Sequence, residues 1–519
     1  MQLTWLSLLP PLIVVIVVCV THQLNLSLLV GIMCAALIVT QGQVLPALTL
    51  CGQKFVSHFS DSDNIYLYLL LITISSLITL LTVTGSAAGC AQIIGKKIRT
   101  KRSTEIAAAL LSFLLSIDDY LSILTVGFVM RSTADKLAVA RTKLAYIVHA
   151  LAGPLVIIVP ISTWAAVVLV QLDNAGISLN APHKIVADPL YVYLKTIPFI
   201  FYSLLIIFSV WFVVFTRMSY GSLGHDEQKA VAINDDNELM QDARNKHSLI
   251  ELLMPIFILI GGVFIGTLYA GNYYLFGGNN SFFDAFREND QTFLILLLSA
   301  CGAFAASIML SLYKKLIAIA QIPSLIREGF LLIISSIIMV VCVSVLGNFL
   351  RLDLQTGSYV AQLLLGTAPL FLIPVMLFVV SLAITLMTGS AWGTFSILIP
   401  ITTQMLASFL QLEVPVMIDQ MPLLFPALGA VLSGAACGNH ISPFADTTIL
   451  TATSTGVEPL HHARTQFGYA VPVIIGTIVS FVVVGLVFDY GLWTSFYVSF
   501  GAGIAVSVLL LYIGNKFFK

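Results

Sequence analysis

Apolar residues run along this chain in long, nearly continuous stretches rather than in the one-faced or alternating patterns of a soluble domain. The stretches cover 3–20, 24–40, 64–90, 144–170, 190–215, 249–272, 291–313, 329–350, 368–387, 421–436, 466–487 and 493–515. A hydrocarbon core needs about 20 such residues per helix, so the pattern predicts transmembrane helices along almost the whole chain. The first, Leu3 to Val20, has no basic residue before it, because the first Lys or Arg is Lys54. It is therefore expected to be a retained helix and not a secretory signal.

Two places depart from simple spans. Between Lys96, Lys97, Arg99, Lys101 and Arg102 on one side and Arg131, Lys136, Arg141 and Lys143 on the other, the chain is apolar but split by Ser116–Tyr120, SIDDY. The two arms, Ile106–Leu115 and Leu121–Met130, are each too short to cross at about 1.5 Å per residue. Basic flanks on both sides predict a re-entrant hairpin near 105–130 that opens to the cytoplasm, with Asp118 and Asp119 at a buried tip. A counterpart is predicted near 387–410, where Gly389, Ser390 and Gly393 interrupt MTGSAWGTFSILIPIT. Its following loop holds Glu413 and Asp419 and no Lys or Arg, so this hairpin should open to the opposite side.

Each predicted hairpin precedes an interrupted helix: His149–Trp164, broken by Pro154 and Pro160, and the polar Gly434–Thr448. The fold expected is an all-α polytopic membrane protein of two inverted repeats, each with a re-entrant hairpin and a broken transmembrane helix. Its parts are a first repeat over 1–216, a cytoplasmic connector over 217–248 and a second half over 249–519. Between Lys315 and Ala368 the number of crossings closes only with an interfacial or broken segment around Leu350–Leu365.

Composition agrees with this picture. Of 519 residues, 58% are hydrophobic and 9% charged, against about 25% charged in a soluble domain. Net charge is −1, and the basic residues cluster at helix ends, so no nucleic-acid face is expected. Cys19, Cys34, Cys51, Cys90, Cys301, Cys342 and Cys437 are scattered singly and predict neither a disulfide framework nor a zinc site. No G-x-x-x-x-G-K-[ST] loop occurs, so transport would draw on an ion gradient and need no cofactor beyond Na+ or H+.

Polar residues at membrane depth are costly and so mark candidate chemistry. Asp118 and Asp119 are candidates for a proton or sodium site; the structural alternative is a helix cap. Asp446, beside Ser442, Thr447 and Thr448, offers oxygen ligands for a hard cation. Asp119, Asp446 and Thr447 are the candidate Na+ ligands. His149 and His440 could relay protons, recognise an anionic group when charged, or be hydrogen-bonded core imidazoles. Ser162, Thr163, Ser390, Trp392, Thr394, Ser396 and Asn439 could contact a solute, or serve only close helix packing.

At these residues the chain resembles the NhaC-type Na+/H+ antiporter family of the ion-transporter superfamily. The resemblance rests on Asp118–Val148 (DDYLSILTVGFVMRSTADKLAVARTKLAYIV), GPLVIIVPISTW from Gly153, GSAWGTFSILIPI from Gly389, GNHISPFADTTIL from Gly438 and HHARTQFGYA from His461. It implies an inverted-repeat secondary transporter, a multi-pass protein of a bacterial inner membrane, with monovalent cation/proton antiport as the leading function. Family members typically carry an acid where this chain has His149 and another where it has Asn439. These replacements favour the rival reading, Na+- or H+-coupled transport of a small organic acid or amino acid. A membrane hydrolase built on Ser442, His440 and Asp446 and a channel are the remaining alternatives. The expected partners are the transported ion or small molecule and the bilayer, with a homodimer as a candidate assembly.

Overall fold

A computed structural model of the protein describes residues 4–21, 23–86, 89, 98–179, 185–231, 250–365, 369–412 and 415–517. Leu3, Cys90, Lys96, Lys97, Leu249, Ala368, Glu413 and positions 232–248 of the expected connector lie outside the described residues. Among the described residues, nine helices are long and apolar enough to cross a membrane. The protein is an all-helical polytopic membrane protein.

The chain opens with a short apolar helix rather than a full span, a 3-10 turn at Trp5–Leu8 leading into α1 (Leu9–Thr21). α2 (Leu24–Val39) and α3 (Val44–Phe59) meet at 119°, and Gln41 and Gly42 between them have positive φ. The stretch at 24–40 thus belongs to a sharply bent pair and is not a straight crossing. α4 (Ser62–Val83) is the first long span.

The SIDDY region folds as two helices, α5 (Lys101–Leu114) and α6 (Asp119–Lys136). Thr100 and Ser103 form a reciprocal capping box at the start of α5. Asp118 caps α6 by accepting from the Leu121 N–H at 3.0 Å. The helix that follows is broken into α7 (Arg141–Val156) and α8 (Thr163–Asn174). The break contains Pro160, which has no N–H to donate, and Ser162 restarts the helix by accepting from Ala165 N–H at 3.0 Å. Then come α9 (Pro189–Thr196), α10 (Phe201–Thr216) and α11 (Gly221–Lys229). α11 shows that the expected connector begins as a helix, one that buries Leu223.

The second half begins with spans α12 (Ile250–Ala270) and α14 (Thr292–Tyr313), linked through short α13 (Phe282–Arg287). α15 (Ile322–Asn348) runs into a π turn at Phe349–Asp353, Gln355 takes positive φ, and α16 (Thr356–Leu364) is too short to cross. A broken segment therefore stands where the count of crossings required one. α17 (Ile373–Thr388) and α18 (Ala391–Phe409) meet at Gly389 and Ser390. Gly389 has φ +70°, the left-handed geometry glycine tolerates best. Upstream of Gly389, where the hairpin is expected to begin near 387, the chain is a helix that, from Leu370 to Thr388, is long and apolar enough to cross.

A second interrupted helix follows, α19 (Leu424–Ile441) and α20 (Asp446–Thr455), then the long α21 (Pro459–Val487) and α22 (Leu492–Phe517). In both halves a pair of helices joined by a short turn, at Leu115–Asp118 and at Gly389–Ser390, precedes an interrupted helix, an order consistent with inverted repeats. α17 lies closely on α19: a Cβ added at Gly434 would stand 2.5 Å from the Phe378 carbonyl oxygen, and one at Gly438 2.5 Å from Thr385 Cβ. Small residues at such seams let helix backbones approach.

Outside the helices, β1 (Ile185–Val186) pairs in parallel with β2 (Val416–Met417). This joins the chain after the first broken helix to the chain after the second hairpin. At the opposite end of the molecule sit Lys101, Arg102, Arg141 and Lys229. There Lys143 Nζ donates to the Met218 carbonyl at 3.1 Å, Arg141 pairs with Asp135 at 2.8 Å, and His461 meets Asp226 at 2.8 Å.

Candidate functional site

The hairpin tips and the helix breaks converge on one cavity of about 160 Å³. From the first half it receives Asp118, Asp119 and Tyr120 at the tip, and Thr163 and Trp164 at the restart of the broken helix. From the second half come Ser390 and Trp392 at the tip, and Asn439, Asp446 and Thr447 at the other break. Helix termini leave unpaired N–H and C=O groups, so this junction supplies backbone dipoles as well as side chains.

Among the described residues, three carboxylates face the cavity and no Lys or Arg lines it. Asp118 is held by two donors, the Leu121 N–H at 3.0 Å and the Thr163 hydroxyl at 3.0 Å. This is the helix-cap role, and the Thr163 bond also ties the tip to the broken helix. Asp119, one residue on, is buried at 5% exposure and has the Trp164 indole beside it. Asp446 opens α20, accepts the Thr447 N–H at 2.7 Å and takes a hydrogen bond from the Tyr120 hydroxyl. The Tyr120–Asp446 bond joins the two halves directly across the cavity.

Behind Asp446 lies a buried polar chain. Asn439 donates to the Gly389 carbonyl at 3.4 Å and accepts from the Thr447 hydroxyl at 2.9 Å. Thr447 also meets His149 Nε2 at 3.2 Å, and His149 Nδ1 lies 3.1 Å from His462 Nε2 and 3.0 Å from Gln466 Oε1. Gln466 in turn donates to the His440 carbonyl. His149 and Asn439 thus share Thr447 as a partner.

Among the sequence candidates, Asp118, Asp119, Thr163, Ser390, Trp392, Asn439, Asp446 and Thr447 line the cavity. The others do not. His149 is buried one layer back, and His440 lies deeper, bonded through Nδ1 to the Tyr202 hydroxyl at 2.6 Å. Ser162 caps α8 and Thr394 donates back to the Ser390 carbonyl at 2.9 Å. Ser396 is fully buried in α18 away from the cavity. Ser442 donates to the Leu386 carbonyl at 3.0 Å and Thr448 to the Ser442 carbonyl at 2.7 Å. These hydroxyls satisfy backbone carbonyls at the break, which is a structural role. Ser442, His440 and Asp446 are bonded to separate partners and do not form a hydrolytic triad.

Sequence reasoning missed Tyr120, Trp164, His462 and Gln466. Tyr120 stands next to the aspartate pair in SIDDY, which was the available signal. His462 and Gln466 are four apart on α21, a spacing that puts both on one helix face. Among the described residues, no group of three or more His, Cys, Asp and Glu could hold a metal ion. A cation here would depend on two carboxylates completed by hydroxyl and carbonyl oxygens.

Comparison with known proteins adds the following. The model of the Na+/H+ antiporter family matches residues 177–486. An uncharacterized protein of Haemophilus influenzae is 30% identical over 519 residues, 98% of this chain and 95% of its own length. The Malate-2H(+)/Na(+)-lactate antiporter of Bacillus subtilis is 35% identical over 104 residues, which is 20% of this chain and 19% of that protein. In fold, the YdaH transporter of Alcanivorax borkumensis superposes with a TM-score of 0.50 at 13% identity, covering 86% of this chain and 89% of that one.

Proposed function

Since the chain belongs to the Na+/H+ antiporter family, and is on that ground a secondary transporter, we propose that it exchanges a monovalent cation, Na+ in the first instance, for protons across a bacterial inner membrane. The observation that carries this reading is the charge of the cavity: among the described residues that line it are Asp118, Asp119 and Asp446 and no Lys or Arg. A carboxylate withdrawn from water, as Asp119 is, needs a neutralising partner. Protons and a metal cation meet the same need, so binding of one displaces the other, and that competition is the elementary step of antiport.

In this scheme Asp119 and Asp446 are the charged ligands, one from each half. Thr447 and backbone carbonyls at the helix breaks supply the remaining oxygens that replace the ion's water. Asp118, already held by Leu121 and Thr163, positions the tip. Tyr120 bridges the halves by donating to Asp446 and yields that oxygen when a cation takes it. The two hairpin-and-broken-helix units would act as inverted repeats, with the basic end of the molecule in the cytoplasm.

A second reading is coupled transport of a small organic acid. It is favoured by His149 and Asn439 standing where acids are typical, both bonded to Thr447 at the cavity wall. The local match to the Bacillus subtilis antiporter points the same way. Reconstituted vesicles separate the two readings. Gradients of Na+, Li+ or K+ should drive saturable proton flux through the protein. Cation gradients that move no protons, together with saturable uptake of an organic acid or amino acid, would replace the first reading with the second.

A further inference from the structure

Away from the central cavity, α9, α13 and the start of α22 enclose a second one of about 250 Å³. It sits at the ends of spans, since α13 links two of them and Leu492 begins the last. Its wall is aromatic and aliphatic, with Tyr191, Phe199, Phe283, Phe286 and Trp493 among the lining residues. Phe283 is 76% exposed and Trp493 53% exposed, as in the aromatic belts at membrane–water boundaries.

One cation lines this cavity, Lys195. Its Nζ lies 5.6 Å from the Tyr191 ring centroid and 5.9 Å from that of Trp493. Among the described residues no carboxylate pairs with it. Arg287 nearby is engaged by Asp419 at 2.8 Å. Asp489 lines an adjoining cleft that shares Phe199 and Leu492 with this one, and is not among the residues that line the recess itself. The site is therefore an apolar, aromatic-walled recess at the ends of spans, with Lys195 as the cation among its lining residues and Asp284 and Asp419 near enough to Tyr191 to act on it electrostatically.

We propose that this recess binds an anionic phospholipid, with the headgroup phosphate on Lys195 and an acyl chain along Phe199, Phe283 and Phe286. The ring faces of Tyr191 and Trp493 hold the ammonium group toward the opening. A lipid of net negative charge is favoured over a zwitterionic one because, among the described residues, no carboxylate pairs with Lys195. The site is independent of the transport reading.

The test is native mass spectrometry of the full chain released from bilayers of equal phosphatidylglycerol and phosphatidylcholine. Wild type should retain phosphatidylglycerol preferentially, by about fivefold, the effect of one basic side chain at an anionic surface. Lys195→Gln should lose that preference with an unchanged unfolding midpoint in phosphatidylcholine, and Lys195→Arg should keep it. Trp493→Ala should lower retention of both lipids without changing their ratio. Equal retention of the two lipids by wild type, or an undiminished preference in Lys195→Gln, overturns the proposal.

Discussion

Replacing Asp446 by Asn isolates the charge of the site from its shape. The side chain keeps its size, its Oδ1 still accepts the Thr447 N–H, and the new amide can donate to the Tyr120 oxygen, so the link between the two halves survives in neutral form. Stability should change by no more than about 1 kcal/mol, the scale of one hydrogen bond exchanged for another. Cation binding should suffer far more. A unit charge about 4 Å from a cation is worth about 4 kcal/mol at an effective dielectric constant of about 20. Asp446 is solvent-accessible in the cavity and already accepts two hydrogen bonds, which screens part of this. An expected loss of about 2 to 4 kcal/mol corresponds to a thirty- to thousandfold rise in the Na+ concentration for half-maximal flux. The assay is Na+-driven proton movement in reconstituted vesicles, followed with an enclosed pH-sensitive dye, beside thermal unfolding of the same preparation. An Asp446→Asn protein with wild-type Na+ dependence and full coupling would refute the assignment of this carboxylate as an ion ligand.

The double variant His149→Asp with Asn439→Asp puts acids on both sides of Thr447 and should gain Na+-driven proton flux or lose uptake of the native solute, with weaker shifts in the single variants. Vesicle flux measured on all four proteins decides it, and identical behaviour would mean that these positions do not tune the substrate. Gly434→Val forces a side chain against the Phe378 backbone and should destabilise the protein by about 1 to 3 kcal/mol, seen as a lower unfolding midpoint in detergent. Gly468→Val, where a Cβ meets nothing within 4 Å, is the neutral control. Burial pushes the Asp188 carboxyl up to about 7, while it accepts from Tyr191 N–H and the Thr292 hydroxyl. The native state therefore holds a proton that the unfolded chain has released, and stability should fall as pH rises from about 4 to about 7. Unfolding midpoints across that range should flatten in Asp188→Asn, and an unchanged slope would dismiss Asp188 as the source.

Much of the architecture was legible because membrane burial writes itself into long apolar runs, and because Asp118, Asp119 and Asp446 are conspicuous where charge is expensive. The wall of the cavity was harder to read. Thr394, Ser442 and Thr448 look like ligands in sequence, yet each spends its hydroxyl on a nearby carbonyl, a choice fixed by local rotamers and the geometry of the breaks. His462 and Gln466 lie more than 300 positions from His149, and only the packing of α21 against α7 brings them together. The turn at Gly389 and Ser390 was visible as an interruption, but the helix before it, Ile373–Thr388, is as apolar as a full span and hydropathy alone assigns it no other role. The bent α2–α3 pair was hidden for a related reason: hydropathy records how greasy a segment is and carries no information on the angle at which it meets the next.

The two-residue ladder between Ile185–Val186 and Val416–Met417 bears on how the machine can move. It clamps one half to the other by main-chain bonds at a single end, so relative motion of the halves has a pivot there unless those bonds part. A lever fixed at one end sweeps its largest arc at the other, which is where Lys143, Glu227, Asp226 and His461 form contacts that can be broken and remade. Gating by rotation would then concentrate its displacement at the basic end, while the end held by the ladder would have to open by local bending of its own loops. The two gates of this transporter would accordingly be unequal in mechanics.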